Sequence, residues 1–203
     1  MTTEELYKKL EDPYFQDNTQ ESIFSNVYIF PYDIKKENEV LSEIKGFKNR
    51  LIRPSNDLDL LYIDVFQFMM DYLKSINFGK RGPLFEYYQK KEQEGMDMTN
   101  VITQKIYVDN HDFLKILYNK INSFIEKNKT NDDGLKRSII ILYGFTQIYP
   151  YVRVNQFLSS FEEYNTGECF KLVLCYPGEA TDTSFSLFGE LKDNHAYRAQ
   201  ILN

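Results

Sequence analysis

RSIIILYG, residues 137–144, is an apolar run that a glycine ends. The apolar residues from 139 to 142 are consecutive, so no alternation separates a buried face from a solvent face. Such a run is typical of a strand in a parallel sheet that is covered on both faces. The next residues, GFTQIYPYVR at 144–153, contain the glycine and proline of a turn. We expect a buried strand that opens into this turn, which is either a reaction centre or a surface that another protein binds.

Three further segments resemble strands, and helical periodicity separates them. The other strand candidates are SNVYIFPYD at 25–33, LLYIDVFQ at 60–67 and FKLVLCYPG at 170–178. Apolar residues recur at helical spacing in 35–47, through most of 83–128 and in 154–164, where Asn155 is a candidate helix cap. This alternation predicts an α/β fold, a mostly parallel sheet with helices on both faces that resembles a nucleotide-binding-type fold lacking a phosphate loop.

The length and the order of elements favour a single α/β domain over residues 1–203, since a chain of this size can bury one sizeable core. Residues 66–130 are then a largely helical insertion between two strands of that domain. The short segments SFSLFG at 184–189 and YRAQIL at 197–202 are expected to form a hairpin or an edge pair. Neither a signal peptide nor an apolar run of membrane length is evident, so we expect a cytoplasmic chain with no membrane partner.

Composition bears on the class of partner. The formal charge is −6 at pH 7, which does not favour broad contact with a nucleic-acid backbone. Two basic runs, KGFKNRLIR at 45–53 and GKRG at 79–82, are candidates for local phosphate contact, although such runs usually form solvated faces. The chain also has 16 Tyr and 16 Phe but no Trp. Tyrosine is common at protein interfaces, which points toward docking, and ordinary core filling is the alternative.

The predicted strand ends carry no strong motif for catalysis. A phosphate loop needs glycines that expose backbone amides, and residues 25–45 contain no glycine. The third strand ends in YGFTQ, without the carboxylate that an ATPase usually places there. After the fourth strand, Glu179 and Asp182 could form an acid–base or metal pair, with His195 as a third member, but carboxylates in a turn usually face water. We therefore expect no enzymatic activity, no metal site and no cofactor.

Residues beside the strand ends are candidates for contact with a partner. An arginine there can bind a carboxylate or phosphate in a forked geometry or stack on an aromatic ring, and the alternative is a salt bridge inside the domain. Tyrosine and arginine are also the residues most often found as interface hot spots. The partner-binding candidates are Tyr149, Tyr151, Arg153, Glu179 and Arg198. The predicted structural turns use Gly144 and Pro150 after the third strand, and Pro177 and Gly178 after the fourth.

Four motifs follow one another in the C-terminal third. They are a glycine with a Tyr-Pro-x-x-Arg turn, a Tyr-Pro-Gly, a Ser-x-x-Leu-Phe-Gly and an ending with Asn and Tyr-Arg-Ala. In this chain they comprise Gly144, Tyr149, Pro150 and Arg153; Tyr176, Pro177 and Gly178; Ser184, Leu187, Phe188 and Gly189; and Asn194, Tyr197, Arg198 and Ala199. FPYD at 30–33 also looks like a family beginning. In this combination the sequence resembles the BrxB family of BREX bacteriophage-exclusion systems, which also carries a domain-of-unknown-function label.

The resemblance implies a function that composition does not show. It implies a small non-catalytic structural or adaptor component of an anti-phage defence system, for which no catalytic residues are established. The neighbours of the family include the AAA-type ATPase BrxC, the DNA adenine methyltransferase PglX and the alkaline-phosphatase-like PglZ. The implied partners are other BREX components, with PglZ as the leading candidate and BrxC as the next. The alternative is a nucleotide- or nucleic-acid-binding module of the same system, which would use the crevice at the strand ends and the basic runs.

Overall fold

The computed structural model describes residues 1–16, 26–51, 58–108, 112–128, 137–164, 170–181, 184–187, 191–193 and 199–202. The strands are β1 (Val27–Tyr32), β2 (Leu58–Asp64), β3 (Arg137–Tyr143), β4 (Phe170–Thr181), β5 (Ser184–Leu187), β6 (Leu191–Asp193) and β7 (Gln200–Ile201). The helices are α1 (Thr3–Glu11), α2 (Pro13–Gln16), α3 (Glu37–Leu51), α4 (Val65–Ser75), α5 (Leu84–Gln93), α6 (Thr99–Tyr107), α7 (Asp112–Asn128), α8 (Phe145–Ile148) and α9 (Val154–Phe161). Short 3-10 turns occupy Ile34–Lys36 and Gly79–Arg81.

Five of the strands form a parallel sheet in the order β2-β3-β4-β1-β7. The strand β3 contains the apolar run at 139–142, and every residue from Ser138 to Leu142 is at most 2% exposed. Both neighbours of β3 pair with it in parallel, so the run has a strand on each side and side chains on each face. The expectation of an α/β fold with a buried, mostly parallel sheet is confirmed.

Side chains alternate between the two faces of the sheet. In β3, Ile139 and Ile141 belong to one buried cluster, whereas Ile140 and Leu142 belong to the other. The helices α1, α2 and α3 pack on the first face through Leu6, Leu10, Phe15, Ile44 and Phe47. The helices from α4 to α9 pack on the second face through Met69, Leu73, Leu84, Ile106, Leu117, Ile121, Phe145 and Phe157. The helices therefore cover both faces, as continuous apolar strands require.

The division of helices between the faces follows from the strand order. The connection from β1 to β2 contains α3 and passes across β4 and β3 toward one edge of the sheet. The connections from β2 to β3 and from β3 to β4 run back in the opposite direction and contain α4 to α9. Since parallel crossovers keep one hand, connections that run in opposite directions lie on opposite faces. The helices α4 to α7 lie between β2 and β3, in the part of the chain for which the sequence predicts a largely helical insertion.

The boundary between β2 and α4 differs from the prediction. The segment 60–67 is predicted as strand, but the strand ends at Asp64 and the helix begins at Val65. The Asp64 side chain accepts a hydrogen bond from the backbone N–H of Gln67 at 3.1 Å, which satisfies one of the free amides of the first helical turn. An aspartate that is directly followed by helix is a capping signal, and it overrides the apolar pattern of the next residues.

Pro177 and Gly178 lie inside β4 and not in a turn, so that prediction is corrected. Residues up to Pro177 pair in parallel with β1, where Pro177 is opposite Tyr32. From Gly178 onward the same strand pairs in antiparallel fashion with β5, starting opposite Leu187. Proline has no backbone N–H, and it stands at the last position of the parallel ladder, where the strand changes its partner. The chain therefore remains extended through a Pro-Gly pair that usually indicates a turn.

The short C-terminal strands also pair differently from the expectation. The strand β5 lies between β4 and β6, so these three strands form an antiparallel extension beyond the parallel sheet. The strand β7 pairs with β1 in parallel, with Gln200 opposite Tyr28 and Ile201 opposite Ile29. The predicted hairpin or edge pair between 184–189 and 197–202 is therefore wrong for the described residues, since their strands join different partners.

Among the described residues, the helices are too short or too polar for any of them to span a lipid bilayer.

Candidate functional site

The ends of β1 and β3 meet a carboxylate from the start of α3. The Glu37 Oε1 atom accepts hydrogen bonds from the Thr146 Oγ1 atom at 2.5 Å and from the Tyr32 hydroxyl at 2.8 Å. Thr146 belongs to α8, which follows β3, and Tyr32 is the last residue of β1. These three side chains form what we call the strand-end cluster. It lies at the carboxyl ends of the strands, the edge of the sheet at which proteins of this class bind their ligands.

The strand-end cluster does not favour an anionic ligand. Phosphate groups bind in front of helix N-termini because free backbone amides and the helix dipole attract negative charge. Here the helical segment after β1 begins with the 3-10 turn Ile34–Lys36, where the Asp33 side chain accepts a hydrogen bond from the Lys35 backbone N–H, and it continues as α3 from Glu37, so two carboxylates of the protein stand at this end. Hydrogen bonds from the two hydroxyls of the cluster hold the Glu37 carboxylate there, so an incoming phosphate would meet a negative charge of the protein.

Burial raises the pKa of two acidic groups close to this cluster. Tyr32 is only 6% exposed, and burial, followed by the hydrogen bond to Glu37, raises the pKa of its phenol well above the usual value. Cys175 of β4 is fully buried in the apolar core on the first face of the sheet, to which Tyr32 also belongs, and burial raises the pKa of its thiol to about 12. The pKa of Tyr32 is also raised by Cys175, because two nearby acids oppose each other's ionisation.

We expect stability to fall at alkaline pH because these groups stay neutral in the folded chain. The stabilising contribution of Cys175 is complete below its reference pKa of 9.0 and is lost as the pH rises toward about 12. One such group lowers the free energy of unfolding by about 1.4 kcal/mol per pH unit in that window. Urea unfolding between these pH values measures the slope. The variant Cys175→Ala should have a shallower slope just above pH 9, and equal slopes would contradict the assignment.

The turn after β3 begins at Gly144, whose φ of +90° is in the left-handed region. A β-carbon at this position would lie 2.7 Å from the Asp64 Oδ1 atom and 3.4 Å from the Phe66 backbone nitrogen. Asp64 is the residue that caps α4, so Gly144 allows the ends of β2 and β3 to approach each other closely. Only glycine combines this backbone conformation with this spacing.

Residues 149–153, which we call the Tyr-Pro turn, are tied to the helical layer. The peptide bond between Tyr149 and Pro150 is cis. The Tyr151 hydroxyl donates a hydrogen bond to Glu92 of α5 at 2.9 Å, and the Thr103 hydroxyl of α6 donates one to the Tyr151 carbonyl at 3.0 Å. Burial, with the nearby Glu92 carboxylate, raises the pKa of Tyr151 to about 12. Tyr151 therefore fastens the turn to two helices, and its ring is only half-buried.

Arg153 is the exposed cation of the Tyr-Pro turn. Its guanidinium carbon lies 5.9 Å from the centre of the Tyr149 ring, within the range of a cation–π contact. Among the described residues, no carboxylate forms a salt bridge with it, so the predicted alternative of a salt bridge inside the domain is not found there. The turn thus presents an aromatic ring and an arginine side by side at the surface.

Asn155 does not cap α9, so that expectation is wrong. Arg153 is the residue that precedes the helix, and Asn155 is its second residue. Asn155 is 5% exposed, and within the described part of the chain its side-chain oxygen and nitrogen have no hydrogen-bond partner. The packing of the neighbouring apolar residues Val154, Phe157 and Leu158 draws this face of the helix into the core.

The remaining sequence candidates are not brought to this turn. Glu179 is exposed on the part of β4 that pairs with β5. Arg198, Asp182 and His195 lie outside the described residues, so the predictions for them stay predictions. Within the described residues, no group of three or more His, Cys, Asp or Glu side chains is placed to hold a metal ion.

The basic run at 45–53 is partly engaged by the protein itself. The Arg50 guanidinium donates two hydrogen bonds to the Glu4 carboxylate, at 2.9 and 3.1 Å, and lies 3.5 Å from the centre of the Tyr7 ring. The Lys45 ammonium lies 4.6 Å from the centre of the Tyr143 ring. Lys48 is exposed, and Arg53 is outside the described residues. The cations of this run therefore do not form one free surface for phosphate groups.

The sequence argument missed Glu37 and its two hydroxyl partners. A signal was present, because a carboxylate in the first turn of the helix after the first strand stands where a phosphate would bind. The partners were harder to find, since Thr146 is 109 residues away from Glu37 in the chain.

Comparison with known proteins agrees with the sequence motifs. The family model described as BREX protein BrxB matches residues 61–202. The chain is 25% identical over 197 residues to a curated protein of Bacillus cereus (strain H3081.97) named BREX protein BrxB. The aligned region covers 97% of this chain and 93% of the relative. No solved structure matches the chain.

Proposed function

The chain belongs to the BrxB family, and from this we propose that it is a non-catalytic adaptor that docks to other components of a BREX anti-phage system. Membership makes those other components the expected partners. We propose the alkaline-phosphatase-like PglZ protein as the first partner and the AAA-type ATPase BrxC as the second. The cytoplasm is the compartment in which such an assembly would work.

The observation that carries the non-catalytic proposal is the strand-end cluster. The crevice that would hold a nucleotide in a sheet of this kind contains the Glu37 carboxylate, which accepts hydrogen bonds from Tyr32 and Thr146. A ligand phosphate would have to displace these hydrogen bonds and overcome the repulsion of like charges. This arrangement supports a function in which the fold provides a surface for other proteins and does not bind a nucleotide.

The Tyr-Pro turn supports the docking part of the proposal. Its backbone is held by the hydrogen bonds of Tyr151 to α5 and α6, so little ordering is needed when a partner binds. Tyr149 and the exposed Arg153 lie side by side on it, and these are the residue types that dominate interface hot spots. A held turn with an arginine that lacks a described carboxylate partner is a suitable contact for an acidic group of another protein.

We expect the variant Arg153→Glu to weaken binding to the PglZ protein of the same system. Loss of a charge-assisted hydrogen bond at an interface costs about 1.5–3 kcal/mol, which is roughly a 10- to 100-fold loss of affinity. The two proteins would be co-expressed and separated by size-exclusion chromatography with light scattering, at low and at high salt. Co-elution at a defined stoichiometry, reduced by Arg153→Glu, is the expected result.

The matched control is Lys48→Glu, a reversal of charge at an exposed residue of the basic run in α3. The adaptor proposal expects this variant to co-elute like the unmodified chain. Separate elution of the unmodified chain at both salt concentrations would exclude PglZ, and BrxC would be tested next. If both partners elute separately, the docking proposal fails.

The nucleotide- or nucleic-acid-binding alternative predicts a different result from the same variants. It expects salt-dependent binding of a single-stranded oligonucleotide that Lys48→Glu weakens. The engagement of Arg50 with Glu4, and of Lys45 with the Tyr143 ring, weighs against this alternative. The carboxylate of the strand-end cluster weighs against its nucleotide form.

A further inference from the structure

A groove beside α5 is lined by charged and aromatic side chains, none of which belongs to the Tyr-Pro turn. It encloses about 480 Å³, and its lining residues are Arg81, Glu86, Tyr87, Lys90, Lys91 and Glu94. Glu86, Tyr87, Lys90 and Lys91 recur at helical spacing on one side of α5, Glu94 directly follows the helix, and Arg81 comes from the 3-10 turn that precedes it. We call this feature the α5 groove.

Two aromatic rings hold the Arg81 side chain at the groove. Its guanidinium carbon lies 5.2 Å from the centre of the Phe78 ring and 5.1 Å from the centre of the Tyr87 ring. The two rings contact each other, with centres 5.1 Å apart, and Phe78 is 43% exposed. A cation–π contact does not consume the N–H groups of the guanidinium, and arginine can bind a carboxylate through two of them.

The backbone around Arg81 is held before any ligand binds. The Phe78 N–H donates to the Gly82 carbonyl at 2.8 Å, and the Leu84 N–H donates to the Ile76 carbonyl at 2.8 Å. A bridge between Asn77 and Pro83 closes the same loop. A loop that is closed by its own hydrogen bonds pays little conformational entropy when it binds a partner.

The charges of the groove are only partly compensated within it. Lys91 and Glu94 form a salt bridge at 2.7 Å, which occupies one cation and one carboxylate. Within the described part of the chain, neither Arg81 nor Lys90 forms a salt bridge. Three cations and two carboxylates leave the groove with a net positive charge, although the chain as a whole carries −6.

This mixture of charges favours a protein segment over a nucleic acid as the ligand. A phosphate backbone requires a nearly continuous positive surface, and Glu86, which forms no salt bridge with any described residue, places a negative charge in the groove. A peptide can place a carboxylate on Arg81 and Lys90 and an apolar side chain on the exposed Phe78. Its backbone N–H groups can face Glu86. Exposed aromatic rings beside an arginine are typical of the centre of a protein interface.

We propose that the α5 groove is a second docking site, which binds a protein segment that carries carboxylates next to an aromatic or apolar side chain. Its lining residues do not include those of the Tyr-Pro turn, so this proposal can be tested independently of the contact proposed for Arg153. In an adaptor, two such sites would allow two partners, or two parts of one partner, to be held at once.

The test uses the full chain and labelled synthetic peptides in fluorescence anisotropy. The first peptide has glutamates on both sides of a phenylalanine, and the second has lysines in place of the glutamates. The third probe is a single-stranded oligothymidylate. We expect the acidic peptide to bind and the basic peptide to bind at least about tenfold more weakly.

The decisive variants are Arg81→Glu and Arg81→Lys, with Lys35→Glu as the matched control at an exposed residue outside the groove. Arg81→Glu should weaken binding of the acidic peptide roughly 10- to 100-fold, since it removes charge-assisted hydrogen bonds. Arg81→Lys should weaken it less, because the charge stays but the fork is lost. Lys35→Glu should have no effect. Thermal unfolding of each variant checks that the fold is intact.

Several results would overturn the proposal. They are the absence of binding of the acidic peptide, equal binding of the acidic and basic peptides, and equal effects of Arg81→Glu and Lys35→Glu. Binding of the oligothymidylate alone would assign the groove to nucleic acid instead. None of these results depends on the co-elution experiment, so failure of the groove and failure of the Tyr-Pro turn are distinguishable.

Discussion

The variant Phe157→Ala is expected to lower the free energy of unfolding by about 3–5 kcal/mol, the usual cost of a large cavity in a packed core. Phe157 of α9 is fully buried. Its ring centre lies 5.7 Å from that of Phe145 in α8 and 5.6 Å from that of Phe161, to which it is nearly parallel. The side chain thus joins the two short helices on either side of the Tyr-Pro turn, and its removal leaves a cavity between them.

Urea unfolding of the variant, followed by far-ultraviolet circular dichroism, measures the effect. Phe78→Ala is the matched control, because the same atoms are removed from a side chain that is 43% exposed. We expect this control to cost less than about 1 kcal/mol. A loss for Phe157→Ala as small as that of the control would show that the packing of Phe157 between α8 and α9 does not stabilise the fold.

The second large effect is expected at Gly144, where alanine should lower the free energy of unfolding by about 2–3 kcal/mol. A left-handed backbone costs a non-glycine residue about 1–2 kcal/mol, and displacement of Asp64 from its capping position adds about 1 kcal/mol. The new β-carbon would lie 2.7 Å from the Asp64 Oδ1 atom, so one of the two residues has to move.

Gly46 offers an opposite control within the same chain. It lies inside α3, and a β-carbon there would meet no heavy atom within 4 Å. Gly46→Ala should therefore raise the free energy of unfolding by about 0.5–1 kcal/mol through helix propensity. Differential scanning calorimetry of both variants gives the sign of each change. If Gly144→Ala does not lower the melting temperature, the argument from the close approach to Asp64 is wrong; if Gly46→Ala lowers it, the argument from helix propensity is wrong.

The layers of the fold could be predicted because buried strands and helices have apolar patterns in the local sequence. A strand with a neighbour on each side and helices on each face must be apolar throughout, and the run at 139–142 shows this directly. The insertion was predicted for the same reason, since the apolar stripe of α7, with Phe113, Leu114, Leu117 and Ile121 fully buried, recurs at helical spacing.

The errors arose where a distant partner overrides a local signal. The Pro177-Gly178 pair has the composition of a turn, but β1 on one part of β4 and β5 on the next keep the chain extended. The strand-end cluster could not be predicted either. It requires the ends of β1 and β3 to be close, and these strands are separated by β4 in an order that no local pattern specifies.

For the candidate site, the sequence identifies residue types but not the contacts that they make. The aromatic residues and the arginine of the Tyr-Pro turn were identified from their types. The sequence did not show that Tyr151 is held by Glu92, or that Arg153 stays exposed beside Tyr149. These features depend on where α5 packs, which is a tertiary property.

The continuity of β4 determines how the molecule responds to mechanical force. This strand of 12 residues belongs to the parallel sheet over most of its length and to the antiparallel extension at its end. A pull along its axis loads the ladders with β1 and β3 in shear, so many hydrogen bonds resist at the same time. A pull on β6, by contrast, peels its ladder with β5 one bond at a time. Force applied to this extension by a bound partner would separate β6 from β5 first. The central sheet and both of its helical layers would stay intact.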